Sequence, residues 1–174
     1  FSLLILLGYH FFVFRARNKE SSTHPWSPLT GVSIVIAVKN ESKNLIENIN
    51  ACITQDYPLF EIIIVNDHSS PEEQISLEEL VAGFPQASLH HSTDMPGKKQ
   101  ALTLGIDKAK YDLILCTDAD CRPAGKEWIL SMVMYCHGDN LVLGYSPYVK
   151  SKGFLNLFVR FETVMTGMQY LSWA

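Results

Sequence analysis

The stretch GVSIVIAVKNESKNLIENINACITQDYPLFEIIIVND, residues 31–67, decides the fold. Its first part, Val32 to Val38 (VSIVIAV), is a β-branched apolar run of strand length. Such a run suits a strand buried on both faces, as in a parallel sheet. Leu45, Ile46, Ile49, Cys52 and Ile53 then recur at helical spacing, so residues 42–55 are expected to be a helix. Tyr57-Pro58 ends it, because the residue before a proline is pushed out of the helical region. Glu61 to Val65 (EIIIV) reads as a second buried strand. A strand, a helix and another strand in this order make a βαβ unit with parallel strands.

The alternation continues downstream. Residues 72–83 read as a helix, with Ser76 and Glu79 spaced like a capping box. Ala87 to His90 is expected as a short third strand and Lys98 to Ala109 as a helix with Leu102, Gly105, Ile106 and Ala109 on one face. Leu113 to Thr117 (LILCT) reads as a fourth strand and Leu141 to Gly144 as a fifth. Between them Trp128, Ile129, Met132, Val133 and Cys136 form a helical stripe. From Gly153 to Ala174 an amphipathic helix is expected, apolar at Phe154, Phe158, Phe161, Met165, Met168 and Leu171. The fold class is therefore α/β with a mostly parallel sheet, covered on both faces.

In such sheets ligands sit beyond the carboxyl ends of the strands. Lys39-Asn40-Glu41, Asn66-Asp67-His68-Ser69 and Asp118-Ala119-Asp120 follow strands one, two and four. Each places polar groups on the same rim. Two carboxylates in an Asp118-x-Asp120 turn can share one Mg²⁺ or Mn²⁺. The competing reading is a plain capping turn. Asp67 follows IIIVN, where a carboxylate can accept from a base N–H or close an Asx-turn. Pro96-Gly97-Lys98-Lys99 opens a helix, and a helix N-terminus with a lysine suits a phosphate. His90 and His91 are adjacent in a strand and point to opposite faces, which argues against a metal pair.

Composition narrows the classes. The chain has 174 residues, 47% hydrophobic and 18% charged, with a net charge of −4 and a pI near 5.8. That excludes a disordered chain and argues against a general nucleic-acid binder. The four cysteines, Cys52, Cys116, Cys121 and Cys136, show no CxxC spacing and read as reduced, mostly buried thiols. Residues 1–14 (FSLLILLGYHFFVF) are apolar and are followed by Arg15, Arg17 and Lys19. Residues 1–17 therefore read as the C-terminal part of a truncated transmembrane helix with the following domain on the cytoplasmic side of a cell membrane. Residues 18–30, polar with two prolines, read as a linker.

In order, VSIVIAVKNE, QDYPLFEIIIVNDHS, PGKKQALTLGI and YDLILCTDADCRP resemble the processive-type, family 2 inverting glycosyltransferases of Rossmann-like GT-A fold. The resemblance covers residues 31 to about 150, the donor-binding part, with 151–174 starting an acceptor-side region. It implies a nucleotide-diphosphate-sugar donor, a UDP-sugar ahead of a GDP-sugar, a divalent cation, and an unidentified glycan or lipid acceptor. Carried over, Ala37 and Glu41 line the nucleoside pocket, Asp67 contacts a uracil-type base and Lys98 lies near the diphosphate. Asp118 contacts the sugar or ribose and shares the metal with Asp120. The family commonly shows Asp-Asp-Gly-Ser where this chain has Asn66-Asp67-His68-Ser69, and Pro71 replaces a later Asp. An inverting transferase needs a carboxylate base for the acceptor hydroxyl. The family's Glu-Asp and Gln-x-x-Arg-Trp motifs do not follow Asp120, so the base is expected beyond residue 174 and this stretch alone is expected to be inactive. The alternative is a noncatalytic nucleotide-sugar-binding or membrane-scaffold protein. An aspartyl phosphatase is disfavoured because Arg122 stands where such enzymes carry Thr or Val. A dinucleotide enzyme is disfavoured because no GxGxxG follows the first strand.

Overall fold

A computed structural model describes residues 30–136 and 141–173. The expected membrane segment and nearly all of the expected linker lie outside the described residues. Residues 30–136 belong to one compact unit and 141–173 to a second.

In the first unit the elements are β1 (Val32–Val38), α1 (Ser42–Ile53), β2 (Phe60–Asn66), α2 (Pro71–Ala82), β3 (Ala87–His91), α3 (Lys98–Asp107), β4 (Leu113–Asp118) and α4 (Trp128–Tyr135). The strands form a sheet of order β3-β2-β1-β4, and every neighbouring pair is parallel. The first three strands step outward in one direction, and the chain then returns to place β4 on the other side of β1. This reversal opens a crevice at the carboxyl ends of β1 and β4.

Parallel pairing explains the sequence of β1. Val32, Ile34, Ile36 and Val38 join one core with Leu45, Ile49 and Cys52 of α1, Leu77 of α2 and Ile129 and Val133 of α4. Val35 faces the other way and packs with Ile63, Val65 and Ala101. Both faces are apolar because both are covered, and each fully buried aliphatic side chain contributes about 1.5–3 kcal/mol. α3 seats closely on this second face. A Cβ on Gly105 would lie 2.4 Å from Val35 Cγ1 and 3.1 Å from Val65 Cγ2, so glycine is what lets the helix approach.

Polar groups buried at the sheet are paired. The Ser33 hydroxyl donates to Glu61 Oε1 at 2.7 Å and accepts from the Tyr111 N–H at 3.1 Å. Glu61 Oε1 also accepts the Lys110 N–H, which ties the turn before β4 to the base of the sheet.

Several local expectations change. The helix-starting cap of α2 is Ser70, whose hydroxyl accepts from the Glu73 N–H at 3.5 Å. Ser76 instead donates to the Glu72 carbonyl within the helix. Glu73 is the residue a capping box would use, but its carboxylate accepts the Ser42 N–H at 2.8 Å and joins α2 to the start of α1. The expected fifth strand does not form: Leu141–Gly144 has no strand pairing among the described residues, and Leu141 and Leu143 are exposed. A four-residue apolar run has too few ladder bonds to persist without a paired neighbour. Of the four cysteines only Cys52 is buried, and no disulfide links them. Burial, aided by nearby Cys121, pushes the Cys52 thiol up to about 11.

In the second unit α5 (Phe154–Trp173) covers the expected C-terminal helix. Asn156 prefaces it by donating to the Val149 carbonyl and accepting the Ser151 N–H. Among the described residues no helix is long and apolar enough to cross a membrane.

Candidate functional site

The three polar strand ends converge on one open cleft of about 350 Å³. Ala37, Val38, Lys39 and Glu41 line it from the end of β1, Asp67 from β2, Gly97 and Lys98 from the start of α3, and Asp118, Ala119 and Asp120 from β4. Ala37, Glu41, Asp67, Lys98, Asp118 and Asp120, each singled out in the sequence, are therefore brought together. Sheet register brings some of them close: Ala37 stands between Val65 and Asp118.

Two turns in left-handed conformation shape the rim. Asn40 has φ 54° and His68 φ 57°, a region that Asn tolerates and most side-chain-bearing residues avoid. The turns are bonded reciprocally. The Asn40 N–H donates to Ser69 Oγ at 3.0 Å, and the Ser70 N–H donates to Asn40 Oδ1 at 2.9 Å. Asn66 is buried below, and its Oδ1 accepts the Ser69 N–H at 3.0 Å. These bonds hold the β1 and β2 ends in one fixed relation.

Asp67 is buried, with 4% of its surface exposed. Its Oδ1 accepts the Gly97 N–H at 3.0 Å and lies 3.1 Å from His68 Nδ1. Its Oδ2 is 3.9 Å from Lys39 Nζ. Burial opposes ionisation of this carboxyl. The bonds from Gly97 and His68 and the nearby Lys39 ammonium outweigh it, so the group titrates below the usual carboxylate range.

Lys98 opens α3 and reaches across the cleft, its Nζ 2.6 Å from Asp118 Oδ1. That hydrogen bond raises the lysine pKa, partial burial opposes the rise, and the charges of Asp118 and Asp120 add to it. Both partners are more than half exposed, at 60% and 52%, so the pair adds little to fold stability.

Between the two aspartates Ala119 is buried with the core, so the carboxylates on either side project outward. The turn is held from α1 and the segment after it. Asn48 Nδ2 donates to the Ala119 carbonyl at 3.2 Å. Gln55 donates to the Gly125 carbonyl at 2.9 Å and accepts the Ile129 N–H, an otherwise unbonded donor at the start of α4. Asp118, Asp120 and Cys121 bring one ligand atom each within 4.8 Å of one another. The two carboxylates fit a hard divalent cation such as Mg²⁺ or Mn²⁺, whereas a thiol prefers softer metals.

Asn48 and Gln55 carried no role in the sequence reading, and Gly97 entered it only as part of the Pro96-Gly97-Lys98-Lys99 helix start. Lys39 was visible as part of the polar rim. Gln55 had no local signal, since two of its partners lie 70 and 74 residues away.

The sequence profile described as glycosyl transferase family 2 matches residues 33–169. A poly-beta-1,6-N-acetyl-D-glucosamine synthase from Staphylococcus epidermidis is 31% identical over 119 residues, covering 64% of this chain and 27% of that protein. Its Staphylococcus aureus (strain COL) counterpart is 33% identical over 95 residues, covering 53% of this chain and 22% of that protein. The chain thus spans about a quarter of the length of the curated relatives it matches. Among solved structures, a mannosyltransferase from Pyrobaculum calidifontis in complex with GDP-Man and Mn²⁺ superposes with a TM-score of 0.65 at 22% identity, over 74% of this chain and 39% of that one. TarS from S. aureus in complex with UDP gives 0.51 at 20% identity, over 60% and 31%. At these identities the likeness is one of fold, the α/β GT-A arrangement built on a parallel sheet.

Proposed function

The chain belongs to glycosyl transferase family 2, and we propose that it forms the donor side of a transferase that moves a sugar, with inversion, from a nucleotide diphosphate to a glycan or lipid acceptor. The observation that carries this reading is the convergence of all six expected residues on one cleft at the strand-order reversal. The relatives that make a polysaccharide, and the structural neighbours solved with GDP-Man or UDP, support the same substrate class.

Each residue then has a task its chemistry suits. Ala37, with its small side chain, and Glu41 flank the nucleoside. Asp67 is charged and buried, and its Oδ2 accepts the ring N–H of the base, the imide N–H of uracil in the UDP-sugar proposed as donor. Lys98, at the positive end of α3, offers its ammonium to the diphosphate. Asp118 and Asp120 hold a divalent cation, with Asp118 also reaching the ribose or sugar. When bound, that cation offsets charge on the departing diphosphate. Asn48 holds the aspartate turn through the Ala119 carbonyl, and Gln55 anchors the segment that follows it at Gly125 and Ile129. We further propose that the protein acts at a cell membrane with this domain in the cytoplasm, a reading supported by the apolar residues 1–14 and the basic cluster behind them.

Calorimetry on the intact protein tests the reading. UDP is expected to bind with Mn²⁺ present and to weaken at least tenfold, about 1.4 kcal/mol, when the metal is chelated. Asp120→Asn is expected to bind UDP weakly with or without Mn²⁺. Absence of UDP and GDP binding by the wild type, or an unchanged metal response in the variant, overturns it.

A further inference from the structure

His68 occupies a backbone position that favours glycine. Its φ of 57° costs a side-chain-bearing residue on the order of 1 kcal/mol, and glycine would adopt it freely. The turn does not need the imidazole to hold its shape. Hydrogen bonds to Asn66 Oδ1, Ser69 Oγ and Asn40 Oδ1 close it, none of which uses the His68 ring.

What the ring touches is Asp67. A carboxylate can only accept, so the His68 Nδ1 that lies 3.1 Å from Oδ1 carries the proton. With the Gly97 N–H at 3.0 Å, two donors converge on that one oxygen. Among the described residues, the other oxygen, Oδ2, is approached by the Lys39 ammonium at 3.9 Å, beyond direct hydrogen-bond distance. The carboxylate side chain is 6% exposed, so bulk water does not set its orientation. The two oxygens are therefore unequal: Oδ1 takes two donors from the protein, whereas Oδ2, on a residue that lines the cleft, has no described donor within hydrogen-bond distance.

We infer that His68 is a positioning residue that locks the Asp67 carboxylate so that Oδ2 meets the imide N–H of a uracil base, and that this contact sets discrimination between uracil and cytosine. The inference rests on the donor-base role of Asp67 proposed above. Uracil carries a hydrogen on the ring nitrogen that cytosine lacks, so an acceptor fixed at that point favours UDP over CDP. A carboxylate free to rotate loses that preference first.

The test measures UDP and CDP binding to the intact protein by calorimetry, with melting temperatures alongside. His68→Gly is expected to weaken UDP roughly tenfold, the worth of one charge-assisted hydrogen bond. CDP binding stays within about twofold on the same reasoning, and the melting temperature is unchanged or higher because the turn is relieved. His68→Asn tolerates the left-handed backbone and keeps an N–H donor, so it restores UDP binding to within roughly threefold. Equal UDP affinity in wild type and His68→Gly, or equal losses for UDP and CDP, overturns the inference alone. A wild type that binds neither UDP nor GDP overturns the donor reading and this inference with it.

Discussion

At the scale of single residues, Asp67 shows how burial and charge are reconciled. A carboxylate with 4% exposure would ordinarily resist ionisation, yet donors on one oxygen and an ammonium beyond the other keep it charged. Its folded pKa lies below its unfolded value near 3.9. The stability this provides is present above the unfolded value and is lost as pH falls through the folded one. The melting temperature of wild type should therefore exceed that of Asp67→Asn at pH 7, with the gap narrowing below about pH 4. A gap constant from pH 7 to pH 3 contradicts the assignment. Asp67, Asp118 and Asp120 were legible in the sequence because each follows an apolar run that marks a strand end. Lys39 and Gln55 were not assigned, because a residue's task in the site depends on which distant segment it faces. Gln55 reaches Gly125 and Ile129 only after the sheet has formed.

At the scale of elements, the strands were readable because parallel strands covered on both faces are continuous β-branched runs. β1 through β4 appear within a residue or two of expectation. Errors arose where tertiary partners override a local rule. Ser76 and Glu79 fit a capping spacing, but the helix begins at Pro71 behind Ser70. Glu73, which could have completed that cap, serves Ser42 instead. The LVLG run at 141–144 had strand composition and no ladder partner. The contact between α3 and the sheet gives the element-scale prediction. Gly105→Ala places a Cβ 2.4 Å from Val35 Cγ1, so either the helix or the valine must move. A loss of roughly 1–3 kcal/mol is expected in denaturant titration, despite alanine's better helix propensity. Gly125→Ala, where a Cβ meets nothing within 4 Å, is the control and should stay within about 0.5 kcal/mol. Equal effects at the two positions would show that α3 does not depend on close approach.

At the scale of the whole molecule, strand order does what no single motif can. The order β3-β2-β1-β4 brings residues from positions 37 to 120 onto one rim, and the βαβ alternation in the sequence already required a rim of that kind. What the alternation left open was which charges would meet there. The structure sets Lys98 2.6 Å from Asp118, so the cleft carries its own resident cation. A metal that claims Asp118 on the proposed reading competes with that ammonium for the carboxylate, and a displaced ammonium needs an anion within reach. On the proposed reading the diphosphate is that anion. Dication and nucleotide would then make room for each other, and their affinities would be coupled by one reciprocal factor. In Lys98→Met there is no tenant to displace. Mn²⁺ measured alone should bind more tightly than in wild type, while the factor by which UDP tightens it should fall toward one. If that factor is unchanged in the variant, the two ligands enter independently. If it collapses, the lysine is a placeholder whose departure makes donor loading a concerted exchange of ions.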